Sequence, residues 1–273
     1  MNILQALILG IIQGITEFLP VSSSAHLVIT PYLLGWKIPK DQVFTFDVLV
    51  QLGTLLAVII YFRRDLLQII RAVVIGIKNR EPFADSQARL GWYVVLATIP
   101  AGIFGILAKD AIEKAFSNPQ TTALFLFGTA LLLTLAEVFG RRTRSIESVT
   151  WKDALWIGLA QVLSVYPGIS RSGSTIAGGM LRKLERPSAA RFSFLMMVPI
   201  MLAAGLLSLF DLAALPDLGS FLPSLAIGFI AAAVVGYIAI HWLLRFLGKQ
   251  PLYIFVIYCT FMAAVTLIIS YVK

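Results

Sequence analysis

Six stretches of this chain are each long enough and apolar enough to cross a bilayer core about 30 Å thick, which takes about 20 residues of helix. They run roughly over 43–62, 89–108, 121–139, 190–210, 221–244 and 251–271. Inside lipid every backbone N–H and C=O must find its partner within the protein, and a continuous apolar run does this as a helix. The chain is therefore expected to be an all-α, polytopic membrane protein forming a single integral domain over 1–273. Only 13% of its residues are charged, against about 25% in soluble domains. The net charge of +8 comes from basic residues that flank the apolar runs, so it describes membrane topology and gives no reason to expect a nucleic-acid partner. The lone Cys259 implies neither a disulfide framework nor a metal motif. The apolar start has no basic leader region and is read as mature structure.

Two further apolar regions, 3–35 and 154–182, are each broken near the middle by Pro, Gly, Ser and a charged residue. A straight span has no use for such a break. A re-entrant helical hairpin does, because irregular backbone is tolerated at membrane depth when protein surrounds it. The two regions also resemble each other. Gly10 and Gln13 recur as Gly158 and Gln161, Ser22 and Ser24 as Ser170 and Ser172, and Phe44, Phe46 and Val50 as Phe192, Phe194 and Val198, all at an offset of 148 residues. This shared offset implies a duplication of a hairpin followed by three spans, with repeats 1–140 and 154–273.

Basic residues orient the repeats. Sixteen of them, from Arg63 to Arg89, Arg141 to Lys152, Arg182 to Arg191, and at Arg245 and Lys249, fall in connections that alternate to one side. The other side holds Lys37, Lys40, Lys109 and Lys114, mixed with acids, and the basic-free stretch with Asp211 and Asp217. By the positive-inside rule the first side is cytoplasmic. The first hairpin then enters from outside and the second from inside, and both termini lie outside. Inverted repeats of this kind bring their hairpin tips together near the midplane, so segments 148 residues apart are expected to share one site.

The ionisable residues at depth are functional candidates because burying them is costly. In the first hairpin Gln13 and Glu17 are four apart and share a helix face. Pro20 ends that helix, Ser22, Ser23 and Ser24 form a polar turn able to cap the next helix, and His26 follows in its first turn. Glu17 suits cation binding or base catalysis, and His26 suits a nucleophile or an acid. In the second hairpin Pro167 and Gly168 break the helix. Ser170, Ser172, Ser174 and Thr175 supply hydroxyls, Gly173 permits close backbone approach, and the new helix start offers free amides to an anion. Arg171 adds a planar fork that matches phosphate oxygens; alternatively it pairs with Glu17. Asp47 is either a cation ligand or a rim carboxylate, and Glu137 and His241 lie nearer span ends.

The run from Gln13 to His26 (QGITEFLPVSSSAH) and the run from Pro167 to Thr175 (PGISRSGST) resemble the two signature motifs of bacterial undecaprenyl-diphosphate phosphatases of the bacitracin-resistance type. The resemblance extends over essentially the whole chain. It implies a multi-pass plasma-membrane enzyme whose site faces the outer, periplasmic side. That enzyme would hydrolyse undecaprenyl diphosphate to undecaprenyl phosphate and inorganic phosphate, recycle the lipid carrier of cell-wall synthesis, and confer bacitracin resistance. It also implies a divalent cation, Mg2+ or Ca2+. The family's first motif position carries Glu or Gln, and Gln13 here leaves Glu17 as the pair's only carboxylate. The expected catalytic set is Glu17, Ser23, His26 and Arg171. The diphosphate would be held by Gln13, Ser22, Ser170, Arg171, Ser172, Gly173 and Thr175, and the cation by Glu17 assisted by Gln13. Ser23, His26 or water remains open as the nucleophile, and a homodimer remains open as the assembly. The rival class is a transporter or flippase for a polyprenyl phosphate or other anion, since paired broken hairpins also suit that task.

Overall fold

The computed structural model describes residues 1–38, 40–108, 118–213 and 218–272, with only the helical backbone at 40–45, 207–213, 218 and 220. Lys109, Lys114 and Asp217, and the side chains of Lys40, Phe44 and Asp211, lie outside the described residues. The described residues are helical, with one isolated bridge between Arg144 and Leu184. Helix α1 spans Ile3–Thr16, α2 Ser23–Leu33, α3 Lys40–Tyr61, α4 Arg63–Lys78, α5 Ser86–Leu107 and α6 Pro119–Phe139. They are followed by α7 Trp151–Val162, α8 Arg171–Leu181, α9 Arg186–Ala213, α10 Leu218–Leu247 and α11 Tyr253–Val272. Five helices (α5, α6, α9, α10 and α11) are long and apolar enough to span a membrane, or six spans if α3 and α4 count as one bent pair.

The two interrupted regions are α1–α2 and α7–α8, and they begin alike. Asn2 and Gln5 form a capping box at the start of α1, and Thr150 and Asp153 form one at the start of α7, again 148 residues on. Such boxes satisfy amides that the first helical turn leaves free. Packing repeats as well. Helix α1 lies against α10, and α7 lies against α5. A Cβ on Gly10 would strike the Gly228 backbone, and one on Gly158 would strike the Ala97 backbone. Each contact brings two helix axes close, which only small residues allow.

The 63–89 stretch differs from the sequence expectation of a basic connection. It contains α4, which turns 77° from α3 at Phe62. Its exposed apolar residues Leu67, Ile70, Val74 and Ile77 recur at three- and four-residue steps, so they line one face. Arg63, Arg64, Arg71 and Lys78 share the helix. The density of basic residues concealed this period.

Two acidic residues fasten the basic ends. Asp153 accepts from Arg144 at 2.8 and 3.2 Å and from Arg182 at 2.7 Å. Burial alone would raise its carboxyl, but these arginines and Thr150 outweigh that and hold it well below the usual carboxylate range. Glu137, at the end of α6, accepts from Arg186 at 2.6 and 2.7 Å, from Arg142 at 3.1 Å and from the Leu252 amide at 2.8 Å. It is a structural clasp between α6, α9 and the start of α11.

Candidate active site

Glu17 follows the last residue of α1, where the helix gives way to a turn through Pro20 and Val21. The side chain of Gln13, one turn earlier, donates through Nε2 to Glu17 Oε2 at 2.8 Å. Ser23, the first residue of α2, donates its hydroxyl to the same oxygen at 2.6 Å. The turn is closed by Ser22, which caps the Ala25 amide at 3.3 Å and holds a left-handed φ of 69°. A non-glycine residue adopts that region at a cost, a kind of strain that gathers at functional sites. His26 Nδ1 lies 2.7 Å from the Ser22 carbonyl, and its Nε2 lies 2.7 Å from the Tyr258 hydroxyl. A carbonyl only accepts, so Nδ1 carries a proton, and in the neutral ring Nε2 accepts from Tyr258. The Tyr258 ring stacks nearly parallel to the imidazole.

The second break is built differently. Gly168 takes a φ of 109°, where a Cβ would also collide with the Thr122 carbonyl. Thr129 of α6 donates to the Gly168 carbonyl and accepts from the Ser170 amide, both at 2.8 Å. Ser170 caps α8 by accepting from the Gly173 amide at 3.0 Å. Thr175 bonds the Arg171 carbonyl at 2.7 Å and the Ser193 hydroxyl at 2.6 Å. The hydroxyls of Ser170 and Thr175, read from sequence as ligand donors, thus serve the helix. The space at Gly173, read as room for a ligand, is filled by Ser170 and Thr129.

The hairpins meet at Arg171. Its Nη2 donates to Glu17 Oε1 at 2.6 Å, and its Nη1 lies 3.5 Å from the Ser193 carbonyl. Ser172 donates to the Leu19 carbonyl at 3.1 Å, a second tie between the breaks. Glu17, Ser23, Arg171 and Gln13 therefore form one bonded cluster, with His26 joined through the Ser22 turn. Sequence reading missed Tyr258, Thr129 and Ser193. Nothing local marks them, since each is a polar residue in an apolar span brought in by packing. Asp47 is only 5% exposed, so it is not a solvated rim carboxylate. His241 stands apart, 3.3 Å from the Tyr61 hydroxyl.

The family described as bacitracin resistance protein BacA matches residues 6–265. The chain belongs to this family. It is 45% identical over 94% of its length to a protein from Chlorobium chlorochromatii named undecaprenyl-diphosphatase, 93% of which is covered. It is 43% identical to undecaprenyl-diphosphatase 2 of Stutzerimonas stutzeri, over 98% of both chains. The undecaprenyl-diphosphatase of Mycolicibacterium smegmatis is 42% identical over 98% of this chain and 96% of that one.

The BacA-family chain offers a poor seat for a resident cation at Glu17. That carboxylate already accepts from a guanidinium, an amide and a hydroxyl. A hard cation bound by protein alone wants several oxygen ligands. Among the described residues no group of three or more His, Cys, Asp and Glu comes together. Gln13 turns its amide nitrogen, a donor, to that carboxylate, which leaves its Oε1 as the one further oxygen beside Glu17 without a partner.

Proposed function

We propose that this protein is an undecaprenyl-diphosphate phosphatase, releasing inorganic phosphate from the lipid diphosphate and returning undecaprenyl phosphate to cell-wall synthesis. One observation carries the reading. In a chain of this family, the pair of part-buried Arg171 and buried Glu17 joins the two motif segments and has Ser23 hydrogen-bonded to the same carboxylate. A guanidinium fork suits the charge that develops on a transferring phosphoryl group, and preorganised charge of this kind accounts for much of the catalysis of phosphoryl transfer.

In the proposed reaction the terminal phosphoryl group draws Arg171 away from Glu17. Glu17 then takes the Ser23 proton as Oγ bonds to phosphorus. The anhydride P–O bond breaks, and undecaprenyl phosphate leaves with the electron pair. Water next attacks the phosphoserine, Ser23 recovers a proton, and phosphate departs. His26 is assigned a positioning role: its Nδ1–H fixes the Ser22 turn that presents Ser23, and Tyr258 fixes the ring. The divalent cation implied by the resemblance, Mg2+ or Ca2+, is assigned to the substrate, arriving on the diphosphate oxygens.

We further propose two inverted repeats, 1–140 and 154–273, each a re-entrant hairpin with three spans, in the bacterial plasma membrane. The site would open to the periplasmic side and both termini would lie there. The support is the exchange of partners between halves, α1 with α10 and α7 with α5, the repeated capping boxes, and the basic connections.

Phosphate release from undecaprenyl diphosphate by purified protein, assayed with Mg2+, with Ca2+ and with chelator, tests the function. Release by wild type, with phosphoserine trapped at Ser23 in a rapid quench, is the expected result. Lipid translocation without phosphate release overturns the reading in favour of a flippase. Phosphohistidine at His26 overturns the assignment of the nucleophile.

A further inference from the structure

Among the described residues, four buried side-chain polar atoms have no hydrogen-bond partner: Gln13 Oε1, Arg171 Nε, and both amide atoms of Gln161. Two lie in the cluster already described. Gln161 lies outside it, yet is only 2% exposed. A buried amide with neither group bonded is costly and calls for a polar partner.

The duplication says where Gln161 stands. Gln13 and Gln161 are separated by 148 residues, and so are Ser23 and Arg171. In the first hairpin, Gln13 in the last turn of α1 and Ser23 at the start of α2 are bridged by one anion, the Glu17 carboxylate, at 2.8 and 2.6 Å. The equivalent of Glu17 in the second hairpin is Val165, so that bridge is missing. What remains is an unpartnered amide in the last turn of α7 and an unpartnered Nε–H at the start of α8. Local packing agrees with this placement. Gly158 sits against Ala97 of α5, and Ile157 against Gly178 of α8. Gln161 is one turn beyond both and therefore continues the same buried stripe toward the break.

We propose that a phosphoryl oxygen of the ligand lodges between the Gln161 amide and Arg171 Nε, occupying in the second hairpin the place that the Glu17 carboxylate occupies in the first. This rests on the duplication and on the diphosphate reading above. Nε–H shares one edge of the planar guanidinium with Nη2, so the phosphoryl oxygen held at Nε lies beside the Glu17 carboxylate that Nη2 meets at rest, and the terminal phosphoryl group then takes Nη2 over from Glu17 as the reaction begins. Gln161 is thereby a substrate-binding residue contributed by a position outside both motif segments.

The test compares wild type with Gln161→Met, similar in size and apolar, and Val165→Glu, which installs the missing carboxylate. For Gln161→Met we expect a thermal midpoint equal to or above wild type, because an unpaired amide is removed. We also expect KM for undecaprenyl diphosphate to rise about 10-fold, in line with the loss of a hydrogen bond to a charged group. Val165→Glu should fill the subsite from within, raising the midpoint while phosphate release falls about 100-fold or more. Inhibition by inorganic phosphate separates two sources of the group. If Gln161→Met weakens that inhibition as well as raising KM, the subsite takes the phosphate that is released. If only KM moves, it takes the phosphoryl that stays on the lipid. Wild-type KM, kcat and phosphate inhibition in Gln161→Met overturn the proposal while leaving the phosphatase reading intact. If wild type releases no phosphate, that reading fails by itself. Thermal shifts of wild type and Gln161→Met by inorganic diphosphate then decide the subsite, and equal shifts overturn it. Should Gln161→Met not fold, Gln161→Glu keeps the shape and sets a negative charge against the phosphoryl group, and an unchanged KM in that variant overturns the proposal equally.

Discussion

The first hairpin closes its break with its own side chains, whereas the second borrows a helix. Glu17 gathers Gln13 and Ser23 across the first turn, and Ser22 bears the left-handed φ itself. In the second turn glycine bears the positive φ at Gly168, and Thr129 of α6 supplies the bonds that hold the turn. The first hairpin has invested its polar groups in a reactive arrangement and accepts backbone strain to do so. The second has invested its hydroxyls in a rigid helix start, which leaves Arg171 as its only charged contribution. The two proposed repeats thus share a frame and differ in the chemistry they hold.

That division can be broken experimentally. The largest effect is expected at its seam. Arg171→Ala should lower kcat/KM for phosphate release by about 10²–10³ or more, and Glu17→Gln should lower it comparably, while both proteins still insert in the membrane. Turnover of Arg171→Ala within 10-fold of wild type, taking about 10-fold as one lost hydrogen bond, would show that the second hairpin contributes no chemistry. Next comes the contrast in strain. Gly168→Ala should destabilise by about 2 kcal/mol or more, since it adds both the positive-φ penalty and a backbone collision. Ser22→Gly relieves strain but loses a cap, so its stability should stay within about 1 kcal/mol. Thermal midpoints in detergent compare the two, and equal losses would remove the distinction. A smaller effect is expected from Tyr258→Phe, which removes one hydrogen bond from His26 and should cost about 1 kcal/mol, read as roughly a 5-fold fall in kcat.

A separate effect, on stability, is pH-dependent and belongs to the anchor of the second hairpin. The folded Asp153 carboxyl is depressed, so its contribution is complete above the unfolded value of about 3.9. It fades as pH falls below that value, through the folded one. The midpoint difference between wild type and Asp153→Asn should therefore be constant from pH 7 to about 5 and shrink below about 4. A difference that grows on acidification would contradict the assignment.

Much of this arrangement was legible in the chain because it is local. The i, i+4 spacing of Gln13 and Glu17, the cap position of Ser22 and the helix-start position of Arg171 all follow from neighbours in sequence, and the structure bears each of them out. Five of the six expected spans were legible because lipid imposes a length, and the stretch 43–62 qualifies only together with α4. Three kinds of feature were not. Thr129, Ser193 and Tyr258 act across the fold, and polar residues in apolar helices carry no mark of their partners. Hydroxyls near an anion-binding motif read as ligands until the helix is seen to use them, as Ser170 and Thr175 show. Helix α4 was hidden by composition, because Arg63, Arg64 and Arg71 interrupt the apolar spacing of Leu67, Ile70 and Val74.

The ion pair between Arg171 and Glu17 carries a consequence for turnover. Both groups are largely sequestered from water, where an unpaired charge is costly. With each as the other's partner between catalytic cycles, neither is left bare when phosphate departs. On the proposed mechanism the carboxylate is a tethered competitor for the guanidinium. A ligand must outbid it to bind, which a diphosphate does better than a monophosphate. Inorganic phosphate, the group that the proposed mechanism leaves on Arg171 at the end of the cycle, is thus the weaker rival, and the return of Glu17 to the guanidinium expels it.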